Sequence, residues 1–291
     1  RYETDPPRLA REDSPRPEGS SVIRPFSLLL CDTVRLWGGA ERFVLDAALG
    51  LRRRGHEITV QAWPESPLLR RAQAEGLTTL ATRTRADGAP WTVLPLALRL
   101  HRHPVDAVWT TRDKDLRTTG LAARLCGRPT AVVHSRECDE PVKARPHYRV
   151  FLQRVAHRIV VNSRATGATT LHSAPWLDPS RLTVLPKGID PAAFGEADPG
   201  PWPRRLGRRP GEVVVGFAGQ LVPRKNIDLL LDLLAGETLR RRRWRLAVAG
   251  VGPAEADLRR RAHRLGLASR VVFCGFVEEM APWLAAVDLL V

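Results

Sequence analysis

The sequence predicts an α/β protein built from two doubly wound parallel sheets, of which the second is incomplete. Short apolar runs typical of buried strands alternate with longer amphipathic segments typical of helices, which indicates parallel sheets covered on both faces. A stretch rich in proline and glycine, residues 195–211, divides this alternation into two series. Polar residues and glycines follow directly after the predicted strands, at the edge where open parallel sheets bind their ligands.

The two series define the predicted domains. Residues 1–20 are charged, rich in proline and without an apolar period, so we expect a disordered leader there. The first domain is predicted over residues 21–194 and the second over residues 212–291, with 195–211 as the linker. Because the chain starts without methionine and stops inside an apolar run, we expect it to be a piece of a longer protein.

The elements of the first domain follow from its apolar pattern. The first strand, Phe26–Cys31, is a continuous apolar run that leads through Gly38 and Gly39 into a helix ending before Gly55. Further strands are predicted at Glu57–Ala62, Leu77–Ala81, Asp106–Thr111, Thr130–His134, Arg158–Val161 and Arg181–Leu185. Helices are predicted at Pro67–Glu75, Thr92–His101, Leu116–Cys126, Pro146–Ala156 and Arg164–Ser173.

The second domain repeats the alternation over a shorter length. Its strands are predicted at Val213–Gly219, Arg245–Ala249 and Val271–Gly275, with a last strand that begins at Asp288. The helices predicted between them are Ile227–Ala235, Ala254–Leu265 and Val277–Ala286.

Composition excludes several classes of function. The formal net charge is +15, carried mainly by arginine, but the arginine clusters have little aromatic interleaving and no nucleic-acid-binding motif. We therefore expect sugar phosphates or an anionic membrane surface as partners, and no nucleic acid. The 4 cysteines form no CxxC pair, which argues against structural zinc and favours a reducing compartment. No segment approaches the roughly 20 apolar residues of a membrane-spanning helix.

The segment after the first strand of the second domain has the features of an anion site. Gly219 ends the strand and lets the backbone turn sharply. Arg224 and Lys225 follow, and Asn226 is the expected N-cap of the next helix. Free N–H groups at a helix N-terminus together with fixed positive charge suit a phosphate or diphosphate. The alternative is an ordinary strand–helix turn with solvated cations.

The strand ends of the first domain are unusually polar. His134 is predicted to end the fifth strand, and Arg112 with Asp113 follows a neighbouring strand. Arg112 and Asp113 are candidates for contact with a reaction partner. The alternatives are that His134 is a packed, hydrogen-bonded histidine and that Asp113 caps a helix.

A series of short motifs runs through most of the chain. In the first domain they are Gly38–Glu41, Arg54–Val60, Val160–Ser163 and Val184–Asp190, and in the second Gly219–Leu230, Ala249–Pro253 and Val271–Val277. In this order and spacing the sequence closely resembles the large family 4 of GT-B-fold glycosyltransferases, which are retaining and metal-independent. The segment 135–190 further resembles bacterial members that build lipopolysaccharide and other cell-envelope glycans.

The resemblance implies two Rossmann-like domains facing a cleft, with the donor bound by the second domain. Lys225 matches the lysine that contacts the donor diphosphate, and Gly219 matches the glycine before an arginine that shares this role. That arginine is Gln220 here, so Arg224 is the candidate to supply its charge. Asn226 replaces the glycine that follows the lysine. The resemblance further assigns Gly252, Phe276 and Val277 to the donor side and a catalytic role to His134 and Lys225. Gly38 and Gly39 match glycines whose backbone approaches the diphosphate and the acceptor. Arg112 and Asp113 are acceptor-side candidates because of their place at a strand end.

The reaction that the resemblance implies moves a sugar from a nucleoside diphosphate sugar to a hydroxyl of a glycan or lipid-linked acceptor. It proceeds with retention and needs no metal and no cofactor besides the donor. We expect a cytoplasmic protein that contacts the anionic inner face of the cell membrane. Family members carry a Glu-x7-Glu element that would follow the end of this chain, so the piece by itself is expected to bind donor poorly and to be inactive.

Four other interpretations remain open at this point. Asp113-Lys114-Asp115 fits the DxD metal signature of the other glycosyltransferase fold, and a manganese requirement would favour it. Gly250 to Glu255 begins like a dinucleotide fingerprint but lacks its third glycine and the acidic residue about 20 positions later. A sugar-nucleotide epimerase of the same fold would also need a phosphate site. The fourth interpretation is a non-catalytic basic module that binds membrane surfaces.

Overall fold

The computed structural model describes residues 24–84, 88–189, 191–195 and 197–291, and the chain divides into two compact units after Lys187. The predicted disordered leader, 1–20, lies outside the described residues. Each unit is an α/β layer structure around one parallel sheet. The division falls seven residues before the predicted linker at 195–211.

The first unit contains a seven-stranded sheet in the order β3-β2-β1-β4-β5-β6-β7, and all of its described pairings are parallel. Two apolar clusters cover the sheet, and the strands are apolar because both faces are buried. The strands are β1 Ser27–Asp32, β2 Glu57–Ala62, β3 Thr78–Ala81, β4 Ala107–Thr110, β5 Ala131–Arg136, β6 Arg158–Val161 and β7 Leu182–Val184.

Helices connect these strands close to the predicted positions. Ser66 and Ser163 cap α2 and α7 by accepting a backbone N–H bond with their side chains. The helix predicted at 116–126 starts earlier, at Asp113, and contains the π-helical turn Leu116–Gly120, while a second π turn, Phe151–Val155, follows α6. The helices are α1 Gly39–Arg53, α2 Pro67–Ala74, α3 Pro90–Arg102, α4 Asp113–Asp115, α5 Leu121–Leu125, α6 Pro146–Val150 and α7 Arg164–Ser173.

The second unit contains a four-stranded parallel sheet in the order β10-β9-β8-β11. The strands are β8 Val213–Ala218, β9 Trp244–Ala249, β10 Val271–Gly275 and β11 Leu289–Leu290. The helices are α8 Trp202–Arg205, α9 Ile227–Ala235, α10 Glu237–Arg240, α11 Glu255–Arg264 and α12 Met280–Ala285. None of the helices in the described ranges has the length and apolar character needed to cross a bilayer.

The predicted linker at 195–211 contains a short helix that the sequence did not indicate. Residues Trp202–Arg205 form α8, and Leu206 is 1% exposed and packs beside Val214 and Trp283 in an apolar cluster of the second unit. Trp202 and Leu206 are four positions apart, so they lie on the same helical face. The many prolines and glycines around them concealed this pair in the sequence.

Two predicted element boundaries near candidate site residues differ from those in the structure. Strand β5 continues two residues beyond His134, because Ser135 and Arg136 still pair with Val160 and Val161 of β6. Helix α12 begins at Met280 rather than Val277. The side chain of Val277 is buried against the core, and Phe276 is 49% exposed.

Candidate active site

The carboxyl ends of β1, β4 and β5 place charged side chains side by side in the first unit. Asp32, at the end of β1, is fully buried and accepts a 2.7 Å hydrogen bond from the hydroxyl of Thr111. Arg112 donates to the Glu41 carboxylate at 2.7 Å and lies 3.7 Å from Asp32. Burial lowers the pKa of Arg112, but the carboxylates of Asp32 and Glu41 outweigh it and raise that pKa. The guanidinium is therefore held charged between two acids.

The glycines of the first unit lie at the start of the helix that supplies Glu41. Helix α1 begins at Gly39, and its N-cap residue, Gly38, has an extended backbone and no side chain that could cap the helix. A Cβ on Gly38 would lie 3.3 Å from Glu41 Oε2, whereas one on Gly39 would meet no atom within 4 Å. The backbone at Gly39 is thus open to an approaching ligand, and the acceptor-side role of both glycines stays a prediction.

His134 is 1% exposed and lies between two polar partners. Its Nδ1 is 3.0 Å from the Thr110 hydroxyl, and its Nε2 is 3.3 Å from Asp113 Oδ1, an ion-pair distance without hydrogen-bond geometry. Burial raises the pKa of Asp113, but His134 and the nearby Arg136 and Arg117 lower it to about 2. The alternative that Asp113 caps a helix is wrong, because it is the first residue of α4 and faces the histidine.

Residues that sequence reasoning did not select complete this cluster. Arg136 lies 3.8 Å from Asp113 Oδ1, and its guanidinium also donates to Thr170 and to the carbonyl of Glu140. Lys187 donates to Glu137 Oε2 at 2.6 Å. A single sequence gives no signal for Arg136, because its side-chain partners Asp113 and Thr170 are distant in the chain. A cavity of about 160 Å³ opens here, lined by residues including Arg112, Asp113, His134, Arg136, Cys138 and Lys143.

The two carboxylates of the Asp113-Lys114-Asp115 pattern face different partners. Asp113 faces His134, whereas Asp115 is fully buried and accepts hydrogen bonds from the backbone N–H and the hydroxyl of Thr33. They do not converge on a shared point, so the geometry contradicts a DxD metal site. Burial, reinforced by the Asp32 charge, raises the pKa of Asp115 to about 7, although the Thr33 hydrogen bonds lower it.

We expect Asp115→Asn to change how stability depends on pH. A carboxyl whose folded pKa is raised from 3.8 to about 7 makes the folded state less stable as pH rises through that window. An asparagine can accept from the Thr33 N–H and donate to its hydroxyl, which then donates to Thr84 at 2.9 Å. Urea unfolding should show the variant gaining on the order of 2–4 kcal/mol relative to the wild type between pH 4 and pH 8.

The control for this prediction is Asp46→Asn, which removes a charge from an exposed position on α1. Its difference from the wild type should stay within about 0.5 kcal/mol at each pH. A constant difference between Asp115→Asn and the wild type across this pH range would show that Asp115 does not titrate as described.

In the second unit the predicted anion loop brings Lys225 back to the strand end. A Cβ placed on Gly219 would lie 3.9 Å from Lys225 Cε, so the lysine stem runs along the turn after β8. Arg224 and Lys225 are both exposed, and neither forms an ion pair with another residue that the structure describes. Gln220 is exposed beside them. The loop therefore presents two uncompensated cations at the carboxyl end of a parallel strand.

Asn226 does not act as the predicted side-chain cap. It adopts the left-handed conformation with φ +51° and makes no capping hydrogen bond with its side chain. After glycine, asparagine is the residue that best tolerates this conformation, so it can stand where the resembling family has glycine. The first N–H groups of α9 are thus left without a side-chain partner and can bind an anion.

Gly250 and Gly252 allow the loops after β8 and β9 to interlock. Gly250 has φ +141°, and a Cβ there would lie 1.9 Å from the Gly219 carbonyl oxygen. A Cβ on Gly252 would lie 2.3 Å from the Leu221 carbonyl oxygen. Both contacts are to backbone atoms, so Gly250 allows the close approach of Gly219, and Gly252 allows that of Leu221. The assignment of Gly252, Phe276 and Val277 to the donor stays a prediction.

Two protein-family models match the chain. The one described as Glycosyltransferase Family 4 matches residues 37–193, and the one described as Glycosyl transferases group 1 matches residues 212–291. Together they cover both units, including the His134 cluster and the Lys225 loop.

Curated relatives include enzymes of cell-envelope synthesis. The chain is 31% identical over 252 residues to the GDP-mannose-dependent alpha-(1-6)-phosphatidylinositol monomannoside mannosyltransferase of Mycolicibacterium smegmatis, covering 81% of this chain and 63% of that protein. It is 30% identical over 186 residues to the lipopolysaccharide core biosynthesis mannosyltransferase LpsB of Rhizobium meliloti, covering 57% of this chain and 53% of that protein. The chain thus spans between half and two thirds of these relatives.

Solved structures share the fold. Anabaena Alr3699/HepE in complex with UDP and glucose has a TM-score of 0.74 at 22% identity, with 91% of this chain and 73% of that chain covered. A glycosyltransferase from Rickettsia africae ESF-5 has a TM-score of 0.77 at 14% identity, with 92% and 72% covered. At such identities the likeness establishes the fold alone.

Proposed function

Because the chain belongs to glycosyltransferase family 4 and has the GT-B fold, we propose that the whole protein transfers a sugar from a nucleoside diphosphate sugar to an acceptor hydroxyl. The observation that carries this proposal is the loop after β8. There Lys225 folds back along Gly219, Arg224 is unpaired among the described residues, and the start of α9 has no side-chain cap. Such a loop is suited to bind a diphosphate.

The loop can stabilise the charge that develops during transfer. When the bond between the anomeric carbon and the diphosphate oxygen breaks, the leaving group takes the electron pair and gains negative charge. Lys225, Arg224 and the N–H groups at the start of α9 carry positive charge before the reaction begins and therefore favour the negative charge on the leaving group without a metal. Gln220 adds hydrogen bonds but no charge, so Arg224 is the second cation in this proposal.

Two of the similar proteins support a nucleotide-sugar donor. One relative is described as GDP-mannose-dependent, and Alr3699/HepE has been solved with UDP-glucose. We propose a donor of this class and make no choice between the uracil and guanine bases. The acceptor hydroxyl loses its proton to the departing diphosphate as its oxygen bonds to the anomeric carbon on the same face, so the configuration is retained.

We propose that the His134 cluster binds the acceptor side of the reaction. The imidazole is buried between Thr110 and Asp113, and Arg112 beside it is kept charged by Glu41 and Asp32. These groups offer hydrogen-bond donors and a fixed cation to a polyhydroxyl acceptor. Gly38 and Gly39 follow β1 at the same sheet edge, and a Cβ on Gly39 would meet no atom within 4 Å.

We further propose a glycan or lipid-linked acceptor, a cytoplasmic location and contact with the inner face of the cell membrane. The relatives from M. smegmatis and R. meliloti are named for phosphatidylinositol monomannoside and lipopolysaccharide core. A formal charge of +15 favours an anionic membrane surface. The reaction is proposed to need no metal and no cofactor other than its donor.

The test is a transfer assay on the full-length protein with a panel of UDP- and GDP-sugars. With an acceptor, we expect nucleoside diphosphate release and a product whose anomeric proton coupling matches that of the donor sugar. Without an acceptor, the sugar nucleotide should stay unchanged. An altered sugar nucleotide in the absence of acceptor would favour an epimerase, and binding of NAD but no sugar nucleotide would contradict the proposal.

A further inference from the structure

Helix α3 is apolar on two faces, and only one of them is covered. Trp91 is 74% exposed, Leu94 60% and Leu98 49%. Their spacing of three and four residues places them on one stripe of the helix. A contiguous exposed apolar stripe of this kind marks an interaction surface. The opposite face is the ordinary core-facing one, formed by Val93, Leu96, Ala97 and Leu100.

Positive charge accompanies this stripe. Helix α3 contains no aspartate or glutamate, and its last turns carry the exposed Arg99 and Arg102. Arg128 donates to the His101 carbonyl at 3.3 Å, which holds a third guanidinium at the end of the helix. Tryptophan, leucine and arginine on one exposed helix are the composition of helices that lie in a membrane interface.

A second exposed leucine pair shows that charge, and not exposure alone, distinguishes α3. On α9, Leu229 is 64% exposed and Leu233 61%. Helix α9 itself carries Asp228 and Asp232 and no cation, and Asp232 pairs with Arg261 of α11. The exposed leucines of α9 are thus flanked by acids on their own helix, whereas those of α3 are flanked by arginines.

We propose that the α3 face, defined as Trp91, Leu94, Leu98, Arg99 and Arg102, docks onto the anionic lipid surface of a bilayer. Tryptophan favours the boundary between headgroups and acyl chains, where its ring is apolar and its N–H is solvated. The leucines enter the acyl boundary, and the arginines reach back to the lipid phosphates. This interaction needs no membrane-spanning helix.

The docked helix would bring the candidate active site towards the lipid. The N–H of Gly88, just before α3, donates to the Thr118 hydroxyl at 3.3 Å. Thr118 belongs to the π turn that continues from Asp113, so α3 starts beside the helix that leads from the His134 cluster. This link to a lipid-linked acceptor rests on the proposed function, whereas docking itself can be measured without sugar transfer.

The test is sedimentation of the full-length protein with vesicles of pure phosphatidylcholine or of phosphatidylcholine with phosphatidylglycerol. The wild type should bind the anionic vesicles, and added salt should weaken this binding. The triple variant Trp91→Ala, Leu94→Ala, Leu98→Ala should bind on the order of 100-fold more weakly. The double variant Arg99→Gln, Arg102→Gln should bind on the order of tenfold more weakly and lose much of the salt dependence.

Matched controls separate docking from general stickiness and from unfolding. The double variant Leu229→Ala, Leu233→Ala removes two equally exposed leucines and should change vesicle binding by less than about twofold. The three α3 side chains are exposed, so circular dichroism and thermal unfolding of the triple variant should match the wild type. The single variant Leu98→Glu provides a second route, because it places an anion at the exposed face and should also abolish binding.

Three results would overturn the proposal. The first is equal binding to neutral and anionic vesicles. The second is unchanged vesicle binding by both the triple variant and Leu98→Glu. The third is that the wild type forms a dimer in the absence of vesicles, whereas the triple variant is monomeric and still binds vesicles. The last result would identify the face as a self-association surface. Nucleotide titration distinguishes this proposal from the proposed function, since the triple variant should bind UDP or GDP as the wild type does.

Discussion

Replacing Lys225 by alanine should lower the rate of sugar transfer by about 10²–10³ while the fold remains intact. The side chain is exposed and has no ion-pair partner among the described residues, so its loss breaks no structural contact of that kind. Its stem lies along Gly219, where we place the diphosphate. Because the lysine charge acts on the leaving group as negative charge develops, the loss should appear mainly in kcat.

The matched control for Lys225→Ala is Arg264→Ala. Arg264 is exposed in the last turn of α11 in the same unit, so its replacement also removes one positive charge. We expect the control to transfer sugar within about twofold of the wild type. Steady-state kinetics with a saturating acceptor and circular dichroism are the measurements. If Lys225→Ala turned over at the wild-type rate, the assignment of this lysine to the donor site would be wrong.

Replacing Gly250 by alanine should destabilise the second unit by about 2–4 kcal/mol. The backbone there has φ +141°, which side chains rarely adopt, and the new Cβ would collide with the Gly219 carbonyl oxygen. The new Cβ and the Gly219 carbonyl both belong to the backbone region and cannot rotate away, so the loop after β8 and the loop after β9 must separate. We therefore expect weaker nucleotide binding as well, because Gly219 would shift with the loop.

The control for Gly250→Ala is Gly188→Ala, since a Cβ on Gly188 meets no atom within 4 Å. That substitution should change the free energy of unfolding by less than about 0.5 kcal/mol. Urea unfolding measures both variants. Equal unfolding midpoints for Gly250→Ala and the wild type would show that the interlocked loops do not depend on glycine.

Periodic elements were predictable from the sequence. The observed bounds equal the predicted ones for the strands Glu57–Ala62 and Arg158–Val161 and for the helices Arg164–Ser173 and Ile227–Ala235. The helical turn Trp202–Arg205 within the predicted linker was not predicted, since proline and glycine around it conceal the turn that buries Leu206.

The contacts between side chains at the candidate site could not be predicted from the apolar pattern of the sequence. His134 was selected because it ends a predicted strand, and Asp113 because it follows a neighbouring one. Their 3.3 Å contact depends on the pairing of β4 with β5. Arg136 was not selected, and Asp115 was selected only as part of a metal-binding pattern, because their contacts depend on burial and on partners far along the chain. The left-handed Asn226 could have been inferred, since it occupies a glycine position of the resembling family.

The central claim is that the loop from Gly219 to the start of α9 holds the donor diphosphate. A crystal structure of the full-length protein with a bound nucleoside diphosphate tests it most directly. The account predicts diphosphate oxygens within about 3 Å of Lys225 Nζ and of N–H groups in the first turn of α9. A diphosphate bound elsewhere, with the Lys225 side chain turned away from it, would contradict the account.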